Sequence, residues 1–478
     1  MKTPIINGLK KYALENNKRF HMPGHKGKEL LRFLGELIPE IDVTEVEGTD
    51  NLHNPSTIIY ESQRLAAETF GAIETFYSVN GTTGGLHAAI TATVRPGGKA
   101  LIQRDCHRAV YNALILGKIT PKYIYPKYSE ENNIVTTLGP EEIDKELSLD
   151  SDIDAVIITY PTYYGICSDI KNIAEVVHKH RRVLIVDEAH GSHLKFNNRL
   201  PTSALDAGAD IVIQSTHKTL PAFTQSSMIH VGSHRVDIEK LKSMISIFQT
   251  TSPSYILMSS IDFAIDYMRN HGKDKLEILL NNIEKWTTYM KQIEKVNILD
   301  KGSLDSQIFD FDNTKILMKI DGLTGKSMEN ILREKYKIQL EMSDYYYGLA
   351  LTSVLDEDEE LERLAYAVED ISKKHFYVDR NKNNIDIRKI KPDINISLYD
   401  AFHSEKTEIQ FTKSSGEISG DFIIPYPPGI PILCPGEVIS DDIISYIETL
   451  KKNNIQILGF LDYNREKIKI VKKQNIRA

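Results

Sequence analysis

Ile211-Val212-Ile213-Gln214-Ser215-Thr216-His217-Lys218-Thr219-Leu220-Pro221 decides how the rest of this chain is read. Its apolar start predicts a short buried strand, and a lysine follows almost at once. Burial disfavours the charged form of an amine and lowers its pKa. A neutral amine is what an enzyme needs to attack a carbonyl. The competing reading is a lysine that reaches out to the surface. Ser215, Thr216, His217 and Thr219 crowd polar groups around Lys218, and the polar stretch runs on to His230.

The same strand signal repeats upstream. Ala155-Val156-Ile157-Ile158-Thr159 and Val183-Leu184-Ile185-Val186 are strand-like, with helical apolar spacing from Ile170 to His180 between them. Continuous apolar strands at this repeat belong to a parallel sheet covered on both faces, an α/β fold. Ligands of such sheets collect beyond the C-terminal ends of the strands. Those ends carry Thr159-Tyr160-Pro161-Thr162-Tyr163-Tyr164-Gly165, Asp187-Glu188-Ala189-His190-Gly191, and Ser215 to Lys218. One rim therefore gathers hydroxyls, an acid, a histidine and a lysine.

Further upstream, Ile58 to Phe70 has helical spacing closed by Gly71, and Thr75 to Val79 is strand-like. That strand runs into Asn80-Gly81-Thr82-Thr83-Gly84-Gly85, and a helix is expected from Leu86 to Val94. A glycine- and hydroxyl-rich strand-to-helix turn is an anion site, through its outward N–H groups and the helix dipole. It matches neither nucleotide-binding glycine motif, so it points to phosphate and not specifically to a nucleotide. Ala100-Leu101-Ile102 begins another strand, and His107 follows it. That ring is either a satisfied core histidine or one placed to stack on a flat cofactor.

Composition bounds the class. The 478 residues exceed one ordinary core, so two or three domains are expected. Hydrophobic residues at 41% and charged residues at 26% describe a soluble globular protein. A net charge of -8 argues against nucleic acid or a membrane surface as partner. Met1 to Lys11 lacks the apolar core of a secretion signal. Cys106, Cys167 and Cys434 are scattered and make no metal pattern. The expected location is the cytoplasm.

The flanks are less regular. Residues 1 to about 60 show no clear periodicity and contain His21-Met22-Pro23-Gly24-His25-Lys26-Gly27, a helix-breaking loop, then the acidic, turn-rich Asp42 to His53. Beyond about residue 255, charge-rich helical stretches such as Asp274 to Lys295 and short strands around Lys315 to Ile320 indicate a smaller α+β unit. The run Tyr345-Tyr346-Tyr347 is expected in a core or interface. Asp379 to Ile390 resembles a linker, and Pro427 to Gly436 a rigid shaped loop. Glu437 then stands as an acid before a helix expected from Val438 onward. The expected division is 1–60 as an N-terminal interface segment, 61–260 as the large cofactor-binding domain, 261–385 as the small domain and 386–478 as the C-terminal domain.

One cofactor accounts for the rim. Pyridoxal phosphate needs a lysine for its Schiff base, an acid on its ring nitrogen and an anion cradle for its phosphate. Lys218, Asp187 and the Thr82-Thr83-Gly84 turn fill those places, with His107 as the stacking ring.

The strings from His21 to Gly27, Asn80 to Gly85, Asp187 to Gly191, Ser215 to Lys218, and Tyr426-Pro427-Pro428-Gly429 also resemble, in order, those of the ornithine/lysine/arginine decarboxylases of aspartate-aminotransferase fold (fold type I). The chain is similar to that family's compact branch, which lacks an extra N-terminal wing. The resemblance implies that Lys218 carries the cofactor as an internal aldimine, that Asp187 pairs with the ring nitrogen, and that His107 stacks on the ring with Ala189 opposite. It implies that Ser215 and His217 contact the phosphate and the reacting centre, with His190 beside them. It implies a homodimer or higher oligomer with active sites built across the subunit interface.

The expected reaction is decarboxylation of a basic amino acid, with L-arginine to agmatine favoured and lysine or ornithine as alternatives. His217 or Lys218 would return the proton to Cα. Asp50 and Glu437 are the candidates for meeting the substrate's basic side chain, with Thr162 on the rim. Another fold-type-I lyase or aminotransferase, or a catalytically silent relative, remains an alternative, although no arginine clamp for a second carboxylate can be placed. Asn51 stands where the family has a second Asp, and Cys434 where it has an aliphatic residue. Both departures bear on the distal substrate pocket.

Overall fold

The computed structural model describes residues 3–304, 308–374, 390–426, 429–462, 464 and 466–472. At its centre is a seven-stranded sheet in the order Glu74–Ser78, Ser227–Val231, Ile211–Gln214, Val183–Asp187, Ile153–Thr159, Lys99–Gln103, Thr120–Ile124. Strand residues such as Val156, Ile157, Leu184, Ile185, Val212 and Ile213 are fully buried, as expected for a sheet covered on both faces. One strand departs from the parallel expectation: Ser227–Val231 runs antiparallel to both neighbours. The polar stretch after Lys218 is too short to contain a crossover helix, so the chain must turn straight back along the sheet.

Local signals held where apolar spacing was strong. The helix Ile58–Phe70 ends on Gly71, whose φ of 78° supplies the left-handed cap. The helix Ile170–Lys179 is capped by the Asp169 side chain, which accepts from the Asn172 N–H. A correction concerns the glycine-rich turn. The helix expected from Leu86 begins at Gly81, and the glycines form its first turns. A Cβ on Gly85 would come within 2.9 Å of Ile213 and 3.0 Å of Ile229, so the missing side chain lets the helix lie close on the sheet.

Residues 3–60 carry more regular structure than expected, with helices Pro4–Leu14 and Arg32–Ile41 and a strand, Lys18–Phe20, that pairs with Ile338–Leu340. Asn7-Gly8 in the first helix, and Gly35 and Pro39 in the second, weaken the sequence signal. Neither helix buries much of itself: the first has no buried residue and the second only Leu34. The smaller unit is a four-stranded antiparallel sheet, Val296–Leu299, Lys315–Ile320, Gly348–Leu351 and Met342–Ser343. The C-terminal region has its own apolar cluster around Phe411, Leu433, Ile443 and Ile447. Its helix begins at Asp441 with Ser440 as cap, later than Val438. The linker reading for Asp379 to Ile390 lies, apart from Ile390, outside the described residues, as do Pro427 and Pro428. No helix among the described residues is long and apolar enough to cross a membrane.

Candidate active site

A cavity of about 1090 Å³ opens at the C-terminal ends of the central strands, roofed by the smaller sheet and the C-terminal loop. Its wall includes Thr82, Thr83, His107, Thr162, Asp187, Ala189, His190, Ser215, His217 and Lys218. The fold therefore brings together most of what the sequence singled out.

Lys218 lies on the single turn Thr216–Thr219, directly after strand Ile211–Gln214. What surface it keeps faces the cavity, and desolvation lowers its pKa against the pull of Asp187 and Glu341. Its Nζ is 2.9 Å from His190 Nε2. The loop before it is pinned from the N-terminal region: Gly24 N–H donates to the His217 carbonyl at 2.6 Å. A Cβ on Gly24 would meet the Leu220 carbonyl at 2.5 Å. The glycine of the His21-to-Gly27 loop is thus required by close backbone contact.

Asp187 ends its strand buried at 4% exposure. Burial raises its pKa, Lys218 opposes that, and the Ala189 N–H, at 3.2 Å, is the one donor to its carboxylate among the described residues. A buried carboxylate with unspent acceptor capacity fits a cationic ring nitrogen. Across the cavity, the helix starting at Gly81 presents its first turn. The Thr82 and Thr83 N–H groups have no intrahelical acceptor at this position, and the Thr82 and Ser215 hydroxyls are 3.1 Å apart. Free N–H groups and hydroxyls at a helix start have the chemistry to receive a phosphate. Gly84 is a correction: its N–H is bonded to the Asn80 carbonyl at 3.2 Å, and its face of the helix turns to Asn80 and the Phe248 carbonyl, outside the cavity wall.

His107 caps the helix Arg108–Gly117, accepting from the Ala109 N–H through Nδ1. Gly429, with φ of 94°, backs the ring so closely that a Cβ would fall 3.3 Å from Nε2. Desolvation, with Lys218 and Arg108, lowers the His107 pKa to about 4. His217 is likewise lowered to about 4, chiefly by burial. Its Nδ1 lies 2.9 Å from the Ser226 carbonyl, which can only accept, so Nδ1 carries the ring proton.

Two expected substrate contacts are corrected within this chain. Glu437 is 1% exposed and its carboxylate is taken by Arg104 Nη2, at 3.1 Å and 3.0 Å, and by the Cys434 N–H at 2.7 Å. Asp50 accepts from the N–H groups of Asn51, Ser56, Thr57 and Ile59, which holds its pKa near 2 despite the opposing desolvation. It caps the start of helix Ile58–Phe70, and neither acid lines the cavity. Thr162 does line it, while its hydroxyl accepts from the Ile166 N–H.

The acid that sequence reading missed is Glu341. It follows strand Ile338–Leu340, lines the cavity, and accepts from the Met22 N–H at 2.7 Å and the Tyr163 hydroxyl at 2.6 Å. Nothing in Gln339-Leu340-Glu341-Met342 distinguishes it from a surface acid. Tyr345 also reaches the cavity, whereas Tyr347 is in the core as expected.

Residues 3–328 match the family model described as Orn/Lys/Arg decarboxylase, major domain, and residues 389–465 match that family's C-terminal domain. An arginine decarboxylase of Bacillus subtilis is 34% identical over 99% of this chain and 98% of its own. One from Halalkalibacterium halodurans is 33% identical over 98% of each. The constitutive lysine decarboxylase of E. coli shares the fold, with a TM-score of 0.75 at 19% identity over 98% of this chain and 82% of its own. An alanine–glyoxylate aminotransferase from Nostoc sp. superposes with a TM-score of 0.58 at 15% identity, over 74% of this chain and 95% of its own. The chain belongs to the Orn/Lys/Arg decarboxylase family, and it is an amino-acid decarboxylase whose cofactor is pyridoxal phosphate.

Proposed function

We propose that this enzyme converts L-arginine to agmatine and CO2, with Lys218 as the residue that holds the cofactor. The observation carrying the reaction is the Lys218 amine, facing into the cavity in reach of His190 and Asp187. Arginine is supported by full-length likeness to arginine decarboxylases.

Pyridoxal phosphate, when bound, supplies a ring that withdraws the electron pair left as the α-carboxylate departs as CO2. The chain's residues do the rest. Thr82, Thr83 and Ser215 would hold the phosphate. Asp187 would keep the ring nitrogen protonated, and His107 and Ala189 would cover the two faces. Burial favours the neutral form of the Lys218 amine, the form that would hold the cofactor and, once free, would take up and deliver protons at the reacting carbon. Lys218, after taking a proton from water, would deliver it to Cα in place of the departing CO2. His217 is poorly suited to that step, because its one ring proton is spent on the Ser226 carbonyl.

Each Glu341 oxygen accepts one hydrogen bond and retains capacity for more. We assign Glu341 as the partner of the substrate guanidinium. The active form is a homo-oligomer in this reading, supported by the exposed apolar residues Ile5, Ile6, Leu9, Phe33 and Leu37 on the two N-terminal helices.

The test is CO2 release from cofactor-loaded protein offered arginine, lysine and ornithine separately, with the amine identified. Agmatine as the dominant product is the expected result. Cadaverine or putrescine in its place overturns the substrate, and no CO2 from any of the three overturns the reading.

A further inference from the structure

Behind the part of the cavity wall that carries His190 lies a buried set of charged residues that the reaction does not use. Lys315, at the start of its strand in the smaller sheet, has a fully buried side chain and an ion pair with Asp312, itself fully buried. Asp312 also meets His193 Nε2 at 3.1 Å, and Thr314 donates to it at 2.7 Å. The Lys315 Nζ donates to the backbone carbonyl of His190 at 3.2 Å. His190 in turn places Nε2 2.9 Å from the Lys218 amine. Gly165, with φ of 94°, presses on the set: its Cβ would fall 3.0 Å from the Asp312 carbonyl and 3.1 Å from the Lys315 side chain.

A buried ion pair rarely stabilises a fold more than apolar residues of the same volume. Retaining one under the active-site loop argues for a task other than stability. We propose that Lys315 is a positioning residue: from the smaller sheet it fixes the His190 backbone, and thereby the imidazole that abuts Lys218. The inference rests on the reading of Lys218 as the cofactor lysine.

The groups facing Lys218 are Asp187, Glu341, His190, His107, His217 and Lys315. Lys315 is the cation that adds to burial in lowering the Lys218 pKa. Its removal must therefore be visible from Lys218 as well as in turnover.

The experiment is a pH titration of the bound-cofactor absorbance in wild type, Lys315→Met and Lys315→Met/Asp312→Asn, alongside kcat and KM. In Lys315→Met the midpoint rises by about half a pH unit or more, roughly a threefold gain in proton affinity. The double variant, which also loses the Asp312 anion, moves the same way by less and carries the test if the single variant does not fold. In both, kcat falls while KM stays within about twofold, since the substrate's contacts are untouched. A wild-type band that titrates and vanishes in Lys218→Ala, with the wild-type midpoint kept in the Lys315 variants, overturns the role of Lys315 alone. A wild-type band that survives in Lys218→Ala overturns the reading of Lys218 and this inference with it.

Discussion

Asp187 and Glu437 are both buried carboxylates, both pushed up in pKa by desolvation, and both opposed by a nearby cation. They differ in what their oxygens are doing. Glu437 is gripped by Arg104 and the Cys434 N–H, and Arg104 also donates to the Pro431 and Ile432 carbonyls. That ion pair ties the C-terminal loop to the central sheet. Asp187 has a single donor and faces a cavity. Burial alone does not identify a working acid; unspent acceptor capacity beside an open volume does.

The largest expected effect lies on the Asp187 side. Lys218→Ala lowers CO2 release from arginine by about four orders of magnitude, and Asp187→Asn by about two to four. Circular dichroism should show both folded. Near-normal turnover in Asp187→Asn would make it no different in kind from Glu437, and the comparison would collapse.

The opposite outcome is expected for Glu437→Gln. Leaving Arg104 buried without its anion costs about 3–5 kcal/mol of stability, read by urea denaturation, while KM for arginine in the remaining folded enzyme stays close to wild type. Replacing both partners, Arg104→Met with Glu437→Gln, recovers much of the loss. A large rise in KM for Glu437→Gln would restore that residue to the substrate pocket.

Glu341→Gln tests the intermediate case, an acid already holding two donors yet lining the cavity. Losing a charged hydrogen bond to the guanidinium costs about 1.5–3 kcal/mol, so KM for arginine rises by about ten- to a hundredfold with a smaller change in kcat. An unchanged KM removes Glu341 from the substrate site.

These three acids also show what the sequence made legible. Asp187 and Lys218 stand at the ends of strongly apolar strands and the Thr82-Thr83 turn follows another strand, and strand ends define a rim from sequence alone. Glu437 and Asp50 stand as substrate candidates in the sequence because their partners come from afar or from plain backbone. Arg104 lies on another segment, and the Asp50 carboxylate is satisfied by the N–H groups of a helix start. Glu341, after the strand paired with Lys18–Phe20, and Lys315, in the smaller sheet behind His190, come to the rim through tertiary packing that no local pattern encodes. The N-terminal helices were missed for the opposite reason. With almost nothing buried, they leave only the weak trace of helix propensity, which their own Gly and Pro residues dilute.

His230 extends the comparison to pH. It is buried between Thr75, at 2.7 Å, and Gln214, at 3.2 Å, and burial lowers its pKa to about 3. The unfolded chain binds this proton near the ordinary histidine value, the folded chain only near 3. The stability it contributes is complete above about pH 6.5 and is lost as pH falls toward 3. Between pH 6.5 and 5 the expected loss is about 2 kcal/mol, measured as a falling denaturation midpoint that His230→Gln flattens.

The smallest effect is expected at Asp50, the acid most exposed of those considered and the one most fully satisfied by backbone. Thr57, at the helix start, provides no side-chain cap, and Asp50 supplies the acceptor from outside the helix. Asp50→Ala should cost about 1 kcal/mol, as for loss of an N-cap, and Asp50→Asn less, since an amide oxygen still accepts. Its depressed pKa, near 2, gives a stability contribution that is present above about pH 4 and fades as pH falls toward 2. KM for arginine is expected to stay within about twofold of wild type in Asp50→Asn, because the carboxylate has no acceptor capacity aimed at the cavity. A tenfold rise in KM without loss of stability would mean that Asp50 serves the site of a second copy of this chain. Backbone satisfaction would then no longer separate structural acids from working ones.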